Sequence, residues 1–350
     1  MKVHIMKTNC FFSINSLHAI CLMSCTICYS FNAYSADFSL GVAAHLLSNN
    51  YELSDAMIAN EKIHDAGLTI ARMDAGWNDV EIRKGIYNIP ENWDLIINDQ
   101  LSKNISPMLI LAYGNQNYNN QKPISPEIVN AYAAYVAYTV KHFKGRVKYY
   151  QIWNEWTSKT GQTKPGNVED YKKLVKKIYP LIKSIDPTIT IITGEFSNGA
   201  FGKILGLSKT DFYKDYLTPD MSPYTDVIGV HPYVLYRKPP NNDYSGYYKQ
   251  VKYVRDLMKS SPQFEDKKIY VTEIGWSTSK TEFGVDQEQQ SNLLHKAVCD
   301  AKKIGVSAVI IYQLKDLNIT KGNITEAGFG IYDVNWNNKK SANIKQLKCN

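Results

Sequence analysis

The chain has 350 residues, of which 44% are hydrophobic and 21% are charged, a composition that excludes a disordered or low-complexity protein. The length suits a single α/β barrel, which typically needs ~250 residues. The formal net charge is +7, but lysine and arginine form no cluster dense enough to predict nucleic-acid binding.

The N-terminus has the pattern of a secretory signal. Lys2 and Lys7 give a basic start, and residues 17–28 are apolar but too short to span a membrane. Ala33 and Ser35 fit the −3 and −1 positions of a cleavage site. This pattern predicts export to the periplasm or outside the cell, with no membrane span in the mature chain.

Residues 1–35 are therefore interpreted as a signal peptide, and residues 36–350 as the mature domain, which we expect to be a monomer. Residues 22–25 resemble a lipoprotein box, so a lipid anchor and an uncleaved anchor remain alternatives. Only Cys299 and Cys349 of the six cysteines belong to the mature chain. An oxidising compartment would allow a disulfide between them, and two unpaired buried thiols are the alternative.

Eight short apolar, β-branched runs follow in chain order, and helical patterns separate them. The predicted strands are residues 38–46, 68–74, 106–114, 147–155, 188–195, 226–233, 268–276 and 308–316. Runs this continuous in apolar residues are typical of parallel strands covered on both faces, and their spacing of roughly 30 to 40 residues matches βα units. The order predicts an α/β protein with one (β/α)8 TIM barrel.

The intervening helices have recognisable ends. Residues 125–145 open with Ser-Pro-Glu and close on glycine, as a capped helix should. Residues 168–186 place apolar side chains on one stripe at helical spacing. Residues 286–305 are acidic at the start and basic at the end, which matches the helix dipole.

Polar and aromatic residues gather where the predicted strands end. They are Arg72, Asp74, Tyr113, Asn115, Asn154, Glu155, Glu195, His231, Tyr233, Glu273, Trp276, Tyr312, Gln313 and Asp316. In a (β/α)8 barrel the chemistry lies at the C-terminal ends of the strands. A charged group at a buried strand end must find partners, so stability alone does not explain this concentration.

Two of these residues are carboxylates on strands that lie across the barrel from each other. Glu155 ends the fourth strand and Glu273 lies near the end of the seventh. Such a pair suggests glycoside hydrolysis, in which a retaining mechanism needs the two carboxyls about 5 Å apart. We expect repulsion and burial to raise the pKa of the acid, and Arg72 to lower that of the nucleophile. The alternative is a structural role, as a helix cap or a salt-bridged core glutamate.

The sequences around these strand ends resemble those of the clan A retaining glycoside hydrolases. The nearest likeness is to family 39 and to related endoglycosidases of exopolysaccharide gene clusters. It is carried by "IWNEW" (152–156), "HPY" (231–233), "VTEIGW" (271–276), and the segments 71–88 and 328–342. The Asn-Glu pair after strand four is specific only in combination with a glutamate ending strand seven.

This resemblance implies a role for each matching residue. Glu155 would be the general acid/base and Glu273 the nucleophile, and no metal or organic cofactor would be needed. Asn154 would donate to the 2-hydroxyl of the bound sugar. Arg72 and Tyr233 would keep Glu273 ionised and oriented.

Further residues are expected to contact the substrate. His231 would line the same subsite, with a satisfied core histidine as the alternative. Tyr312 stands where the clan commonly has tryptophan at the end of strand eight. Glu195 is expected at the rim or in contact with the substrate. Aromatic rings predicted to stack on sugars, or else to pack in the core, are Trp77, Tyr113, Tyr118, Trp156 and Trp276.

The sequence thus predicts a secreted or periplasmic retaining glycosidase. Its expected partner is a β-linked microbial polysaccharide or oligosaccharide, cleaved internally. A transglycosylase using the same glycosyl-enzyme is one alternative. A non-catalytic carbohydrate-binding barrel is the other.

Overall fold

The computed structural model describes residues 38–48, 51–196, 210–234 and 244–346, together with residue 349. The predicted signal peptide and its cleavage site lie outside the described residues. Within the described part of the chain, no helix combines the length and apolar character that crossing a bilayer requires.

Eight parallel strands pair in sequence order, and β8 closes the sheet onto β1. They are β1 (Ser39–Ala43), β2 (Ile70–Gly76), β3 (Ser106–Ala112), β4 (Tyr149–Ile152), β5 (Thr190–Thr193), β6 (Val227–Val230), β7 (Lys268–Ile274) and β8 (Ala308–Ile311). The predicted (β/α)8 barrel and all eight predicted strands are confirmed. Most predicted runs extended past the observed C-terminal ends, because the last residues leave the ladder to form the rim.

Helices surround the barrel. Those of the described residues are α1 (Leu53–Asp65), α2 (Trp77–Val80), α3 (Glu91–Ser102), α4 (Pro126–His142), α5 (Val168–Ile185), α6 (Phe212–Tyr216), α7 (Tyr244–Lys259) and α8 (Gln287–Ile304). The predicted starts of α4 and α8 are confirmed by their caps. The Ser125 side chain accepts from the backbone N–H of Ile128, and Asp286 and Gln289 form a reciprocal capping box.

The hydrophobic core has two layers. The barrel interior is filled by Ala43, Ile70, Met108, Ile192, Val227, Tyr270, Ala308 and Ile310. A larger apolar layer lies between the strands and the helices. Cys299 of α8 is disulfide-bonded to Cys349, which ties the C-terminal segment to the barrel and decides between the two alternatives for these cysteines. With the barrel body packed in this way, the polar residues predicted to end the strands lie at its C-terminal rim.

Candidate active site

A pocket of about 290 Å³ opens at the C-terminal ends of the strands, close to the lower end of the roughly 300–1,000 Å³ range typical of small-ligand sites. Its lining residues are His45, Tyr113, Asn154, Glu155, Thr160, Tyr233, Glu273, Tyr312, Glu326 and Phe329. The pocket therefore brings together Glu155 and Glu273 and four of the tyrosine and asparagine side chains predicted to support them or to bind the substrate.

The two carboxylates face each other across the pocket, with His231 beside them. One oxygen of Glu155, one of Glu273 and a ring nitrogen of His231 all lie within 4.8 Å of one another. Retaining glycosidases place their carboxyls ~5–5.5 Å apart, whereas inverting enzymes leave ~6.5–9.5 Å for a water molecule. The separation therefore favours direct attack by one carboxylate over activation of water.

Local backbone geometry sets the direction of the Glu155 and Glu273 side chains. The chain leaves β4 through Trp153 and Glu155, whose φ angles of 66° and 45° are uncommon for residues with a Cβ and are found at functional sites. On β7 the register with β8 shifts between Val271 and Ile274, the segment that contains Glu273. Such irregularities re-aim side chains next to active sites.

Arg72, which is buried on β2, holds the base of the site together. Its Nη1 donates to Glu273 Oε1 at 2.7 Å, its Nη2 to Asn154 Oδ1 at 2.8 Å and its Nε to Gln151 Oε1 at 2.9 Å. Tyr233 Oη donates to the other oxygen of Glu273 at 3.1 Å. Glu273 therefore has an ion pair on one oxygen and a hydroxyl donor on the other, and these contacts fix the orientation of its carboxylate.

The same three residues, Glu155, His231 and Glu273, have the composition of a metal site. However, the guanidinium of Arg72 lies in contact with Glu273, and a fixed positive charge there disfavours a cation. The arrangement fits an ionised carboxylate held by arginine better than a metal ligand.

His231 and Thr160 contact opposite oxygens of Glu155. The imidazole Nδ1 of His231 lies 3.2 Å from Oε1, and the Thr160 hydroxyl donates to Oε2 at 2.8 Å. Burial alone raises the pKa of Glu155. The hydrogen bond and charge of His231, the hydrogen bond from Thr160 and the charge of Arg72 outweigh burial and lower that pKa.

The expectation that repulsion and burial raise the pKa of Glu155 is therefore wrong for the unliganded protein. It omitted the imidazole of His231, which lies 3.2 Å from one carboxylate and 3.7 Å from the other. His231 is fully buried and contacts both acids, so it is more than a packed core histidine.

Asn154 and Tyr113 form one wall of the pocket. Asn154 Nδ2 donates to Tyr113 Oη at 3.0 Å, while its Oδ1 accepts from Arg72 and from Gln151. The amide is thus held in one orientation at the pocket surface. Gln151, which connects Arg72 to this wall, was missed, although a glutamine inside an otherwise apolar strand was a readable signal.

A second polar side chain of the pocket lining, His45, was also missed. His45 follows β1, and its Nδ1 lies 2.7 Å from Asp74 Oδ2. Burial lowers the pKa of His45, but Asp74 outweighs this effect and the net direction is upward. Tyr312 extends from β8 with its hydroxyl 3.5 Å from Glu326 Oε2. His45 ends the first predicted strand and was detectable, whereas Glu326 and Thr160 lie in loops without a local signal.

Four of the aromatic rings predicted to stack on sugars lie in the core. Trp77 is fully buried, stacks on Tyr118 at 4.9 Å and donates to Glu81. Trp276 is buried beside Tyr244. Trp156 is buried and donates to the backbone of α5's cap residue, Asn167. These rings follow strand ends in sequence, but they turn toward the helices instead of the pocket.

Glu195, expected at the rim, is buried beneath the site. Both of its oxygens lack a hydrogen-bond partner among the described residues. A Cβ at position 229 would lie 2.3 Å from Oε1, so only glycine leaves room for this carboxyl there. Burial, with a smaller contribution from the charge of Glu273, raises the pKa of Glu195 to about 8. Glu195 is therefore a neutral acid near pH 7.

No protein-family model matches the sequence, and no curated protein sequence matches it significantly. The fold is nevertheless similar to those of solved glycoside hydrolases. A family 39 glycoside hydrolase from the gut symbiont Bacteroides cellulosilyticus WH2 shares 22% identity with a TM-score of 0.69, over 90% of this chain and 65% of that one.

Two further structures extend the likeness. An exo-β-1,4-mannosidase from Opitutaceae bacterium strain TAV5 shares 14% identity with a TM-score of 0.66, over 89% of this chain and 59% of that one. Native xylanase 10B from Thermotoga maritima shares 20% identity with a TM-score of 0.60, over 89% of this chain and 95% of that one. The chain thus spans less than two thirds of the length of the family 39 structure and of the mannosidase. At these identities the likenesses establish the barrel fold.

Proposed function

We propose that this chain is a retaining glycoside hydrolase that cleaves β-linked sugars with Glu155 and Glu273. The observation that carries this proposal is the close approach of the two carboxylates, within 4.8 Å, with an arginine bound to one of them. The names of the similar structures, which include a family 39 glycoside hydrolase, a β-1,4-mannosidase and a xylanase, support the same reaction class.

In the first step, Glu273 attacks the anomeric carbon while Glu155 donates a proton to the leaving oxygen. Arg72 and Tyr233 stabilise the charge of Glu273 and orient it before attack. Asn154 lines the pocket between the two acids and is positioned to donate to a sugar hydroxyl. A glycosyl ester on Glu273 results, and the leaving group departs with the proton.

In the second step, Glu155 acts as a base for the incoming water. Esterification removes the negative charge of Glu273, so less repulsion opposes the anionic form of Glu155 and its pKa falls. Before the first step, Glu155 must carry the proton that it donates, and the imidazole of His231 lies 3.2 Å from its Oε1. Bound sugar excludes water from Glu155, which favours the uncharged carboxyl.

The aromatic residues of the pocket walls support the proposed substrate class. Tyr113, Tyr233, Tyr312 and Phe329 present aromatic surface from several sides of the opening, as suits pyranose rings. We propose a β-linked microbial polysaccharide or oligosaccharide and internal cleavage. The Cys299–Cys349 disulfide is consistent with an oxidising compartment, so we propose that the mature domain acts after export.

The test is digestion of a panel of β-mannans, β-xylans, β-glucans and bacterial exopolysaccharides. The expected result is release of reducing ends by the wild type, with retained anomeric configuration in proton NMR, and none by Glu273→Gln. Glu127→Gln, an exposed glutamate on α4, is the matched control and should cleave normally. Inverted products would contradict the mechanism.

The same panel separates the alternatives. Elongated products at high acceptor concentration would indicate a transglycosylase. Binding of a polysaccharide without cleavage by the wild type would indicate a non-catalytic carbohydrate-binding barrel.

A further inference from the structure

Thr160 belongs to the loop that follows β4, residues 157–165, and lines the pocket beside Glu155. Its Oγ1 donates to Glu155 Oε2 at 2.8 Å, while Oε1 faces His231. Ser158 supports this contact from the same loop. Its hydroxyl is hydrogen-bonded to that of Thr160 and lies 3.5 Å from Glu155 Oε2. One oxygen of Glu155 is therefore held by loop hydroxyls, and the other is in contact with His231.

The buried ammonium group of Lys122 holds the loop through hydrogen bonds. Lys122 precedes α4, and its Nζ donates to the carbonyls of Ser158 at 3.0 Å and Lys164 at 2.6 Å, and to the Thr163 hydroxyl. All three N–H groups thus have an acceptor on this one loop. Burial of an ammonium is costly unless its donors are satisfied, so the contacts favour one loop conformation.

The loop also packs closely against the ring of Tyr113 at Gly161. Its φ is +67°, and a Cβ at this position would lie 2.4 Å from the ring of Tyr113. The loop backbone therefore lies directly on Tyr113, which itself holds Asn154. Thr160 thus belongs to a segment that is hydrogen-bonded to Lys122 and packs against Tyr113.

We propose that Thr160 is a positioning residue that orients Glu155 through its hydroxyl in both protonation states. A hydroxyl can donate to the carboxylate and can accept from the carboxylic acid. It therefore suits a residue that must be first an acid and then a base. This role rests on the proposed function, in which Glu155 alternates between the two forms.

The proposal predicts how Glu155 titrates when the hydroxyl is removed. A donor stabilises the carboxylate, so its loss should raise the pKa of Glu155. The other charged or titratable groups around this carboxyl stay in place, and they are His231, Arg72, Glu273, Tyr113, Tyr213, Tyr233 and Tyr312. A change in the variant would thus report on the hydroxyl itself.

The decisive experiment is a 13C NMR titration of protein labelled at the glutamate carboxyl carbon. The Glu155 signal is assigned by its absence in Glu155→Gln. Thr160→Val, which has the shape of threonine without the hydroxyl, should raise the pKa of Glu155 by roughly one unit. Thr160→Ser should restore the wild-type value. An unchanged pKa in Thr160→Val would overturn the proposal.

A matched variant separates the hydroxyl contact from general loop order. Thr163→Val removes a hydroxyl that contacts Lys122 and the Thr160 carbonyl but not Glu155. We expect it to leave the pKa of Glu155 close to the wild-type value. If Thr163→Val shifts that pKa as much as Thr160→Val, loop disorder explains the effect and the direct role fails.

A kinetic measurement connects the contact to the reaction. The probes are phenyl and 2,4-dinitrophenyl β-mannosides, β-glucosides and β-xylosides. Thr160→Val should lower kcat/KM for the phenyl glycoside at least ~10-fold more than for the dinitrophenyl glycoside, because only the poor leaving group needs the acid. Equal losses on both would overturn the role. Failure of the wild type to cleave any polysaccharide or aryl glycoside would count against the proposed function, whereas the NMR titration would still decide the contact.

Discussion

Arg72 Nη1 lies 2.7 Å from Glu273 Oε1, and both side chains are buried. The Nε and Nη2 of the same guanidinium donate to Gln151 and Asn154, so a single side chain connects the ends of β2, β4 and β7. Because the fork shape of arginine supplies these three contacts together, a lysine cannot replace them.

The first prediction concerns this ion pair. Arg72→Met should lower the free energy of unfolding by about 3–5 kcal/mol, because it leaves Glu273 buried without its counter-ion. Arg72→Lys should retain part of the stability but lose roughly 100-fold or more in activity, because the orientation of Glu273 is lost. Urea denaturation and kinetics on a cleaved substrate measure the two effects.

A matched control is Lys176→Met, which removes the exposed ion pair with Asp220. It should change neither stability nor activity measurably, because exposed pairs contribute little. Equal effects of Arg72→Met and Lys176→Met would contradict a structural and electrostatic role for the buried pair.

The second prediction assigns the two carboxylates. Glu273→Ala should lose at least ~10³-fold in kcat, and added azide should take the place of the nucleophile and give an α-glycosyl azide from a β-linked dinitrophenyl glycoside. Glu155→Ala should form the glycosyl-enzyme from this activated substrate, and azide should release it as a β-glycosyl azide. NMR of the products distinguishes the two, and an exchange of the two outcomes would reverse the roles.

The third prediction concerns Glu195, whose pKa is raised to about 8 from the ordinary 4.5. Between these values the folded protein binds a proton that the unfolded chain has released, so the free energy of unfolding falls as pH rises from about 4.5 to about 8 and then levels off. Glu195→Gln removes this dependence. It should be more stable than the wild type by roughly 3–5 kcal/mol at pH 8, and of similar stability near pH 4.5.

Urea denaturation of both proteins across this pH range measures the difference. The control is Glu265→Gln. Glu265 is exposed in the segment between α7 and β7, so this variant should have the same pH dependence of stability as the wild type. Parallel pH curves for the wild type and Glu195→Gln would show that Glu195 ionises normally in the folded protein.

The fourth prediction concerns the disulfide, which joins residues separated by 50 positions. Closing a loop of this length restricts the unfolded chain, so its reduction should lower the free energy of unfolding by about 2–4 kcal/mol. Thermal denaturation with and without dithiothreitol measures this. The double variant Cys299→Ala/Cys349→Ala should be insensitive to the reductant, and a wild type equally insensitive would contradict the prediction.

The barrel was predictable because strand and helix patterns are local. Each strand run is nearly continuous in apolar residues, and α4, α5 and α8 each have their own capping residue, so the order of elements follows from segments read one at a time. In a parallel barrel the C-terminal ends of the strands must meet at one rim. For this reason Arg72, Asn154, Glu155 and Glu273 were identifiable as neighbours without coordinates.

Other features depend on contacts between distant segments, and only the tertiary structure decided them. Whether Trp77 turns toward a helix or the pocket depends on what packs beside it. The pKa of Glu155 depends on an imidazole 76 residues away, and the burial of Glu195 on space left by Gly229. The sequence by itself determined which strands exist and which chemical groups end them. The folded chain determined which way those groups point and which charges they meet, because packing and electrostatics act through space and not along the chain.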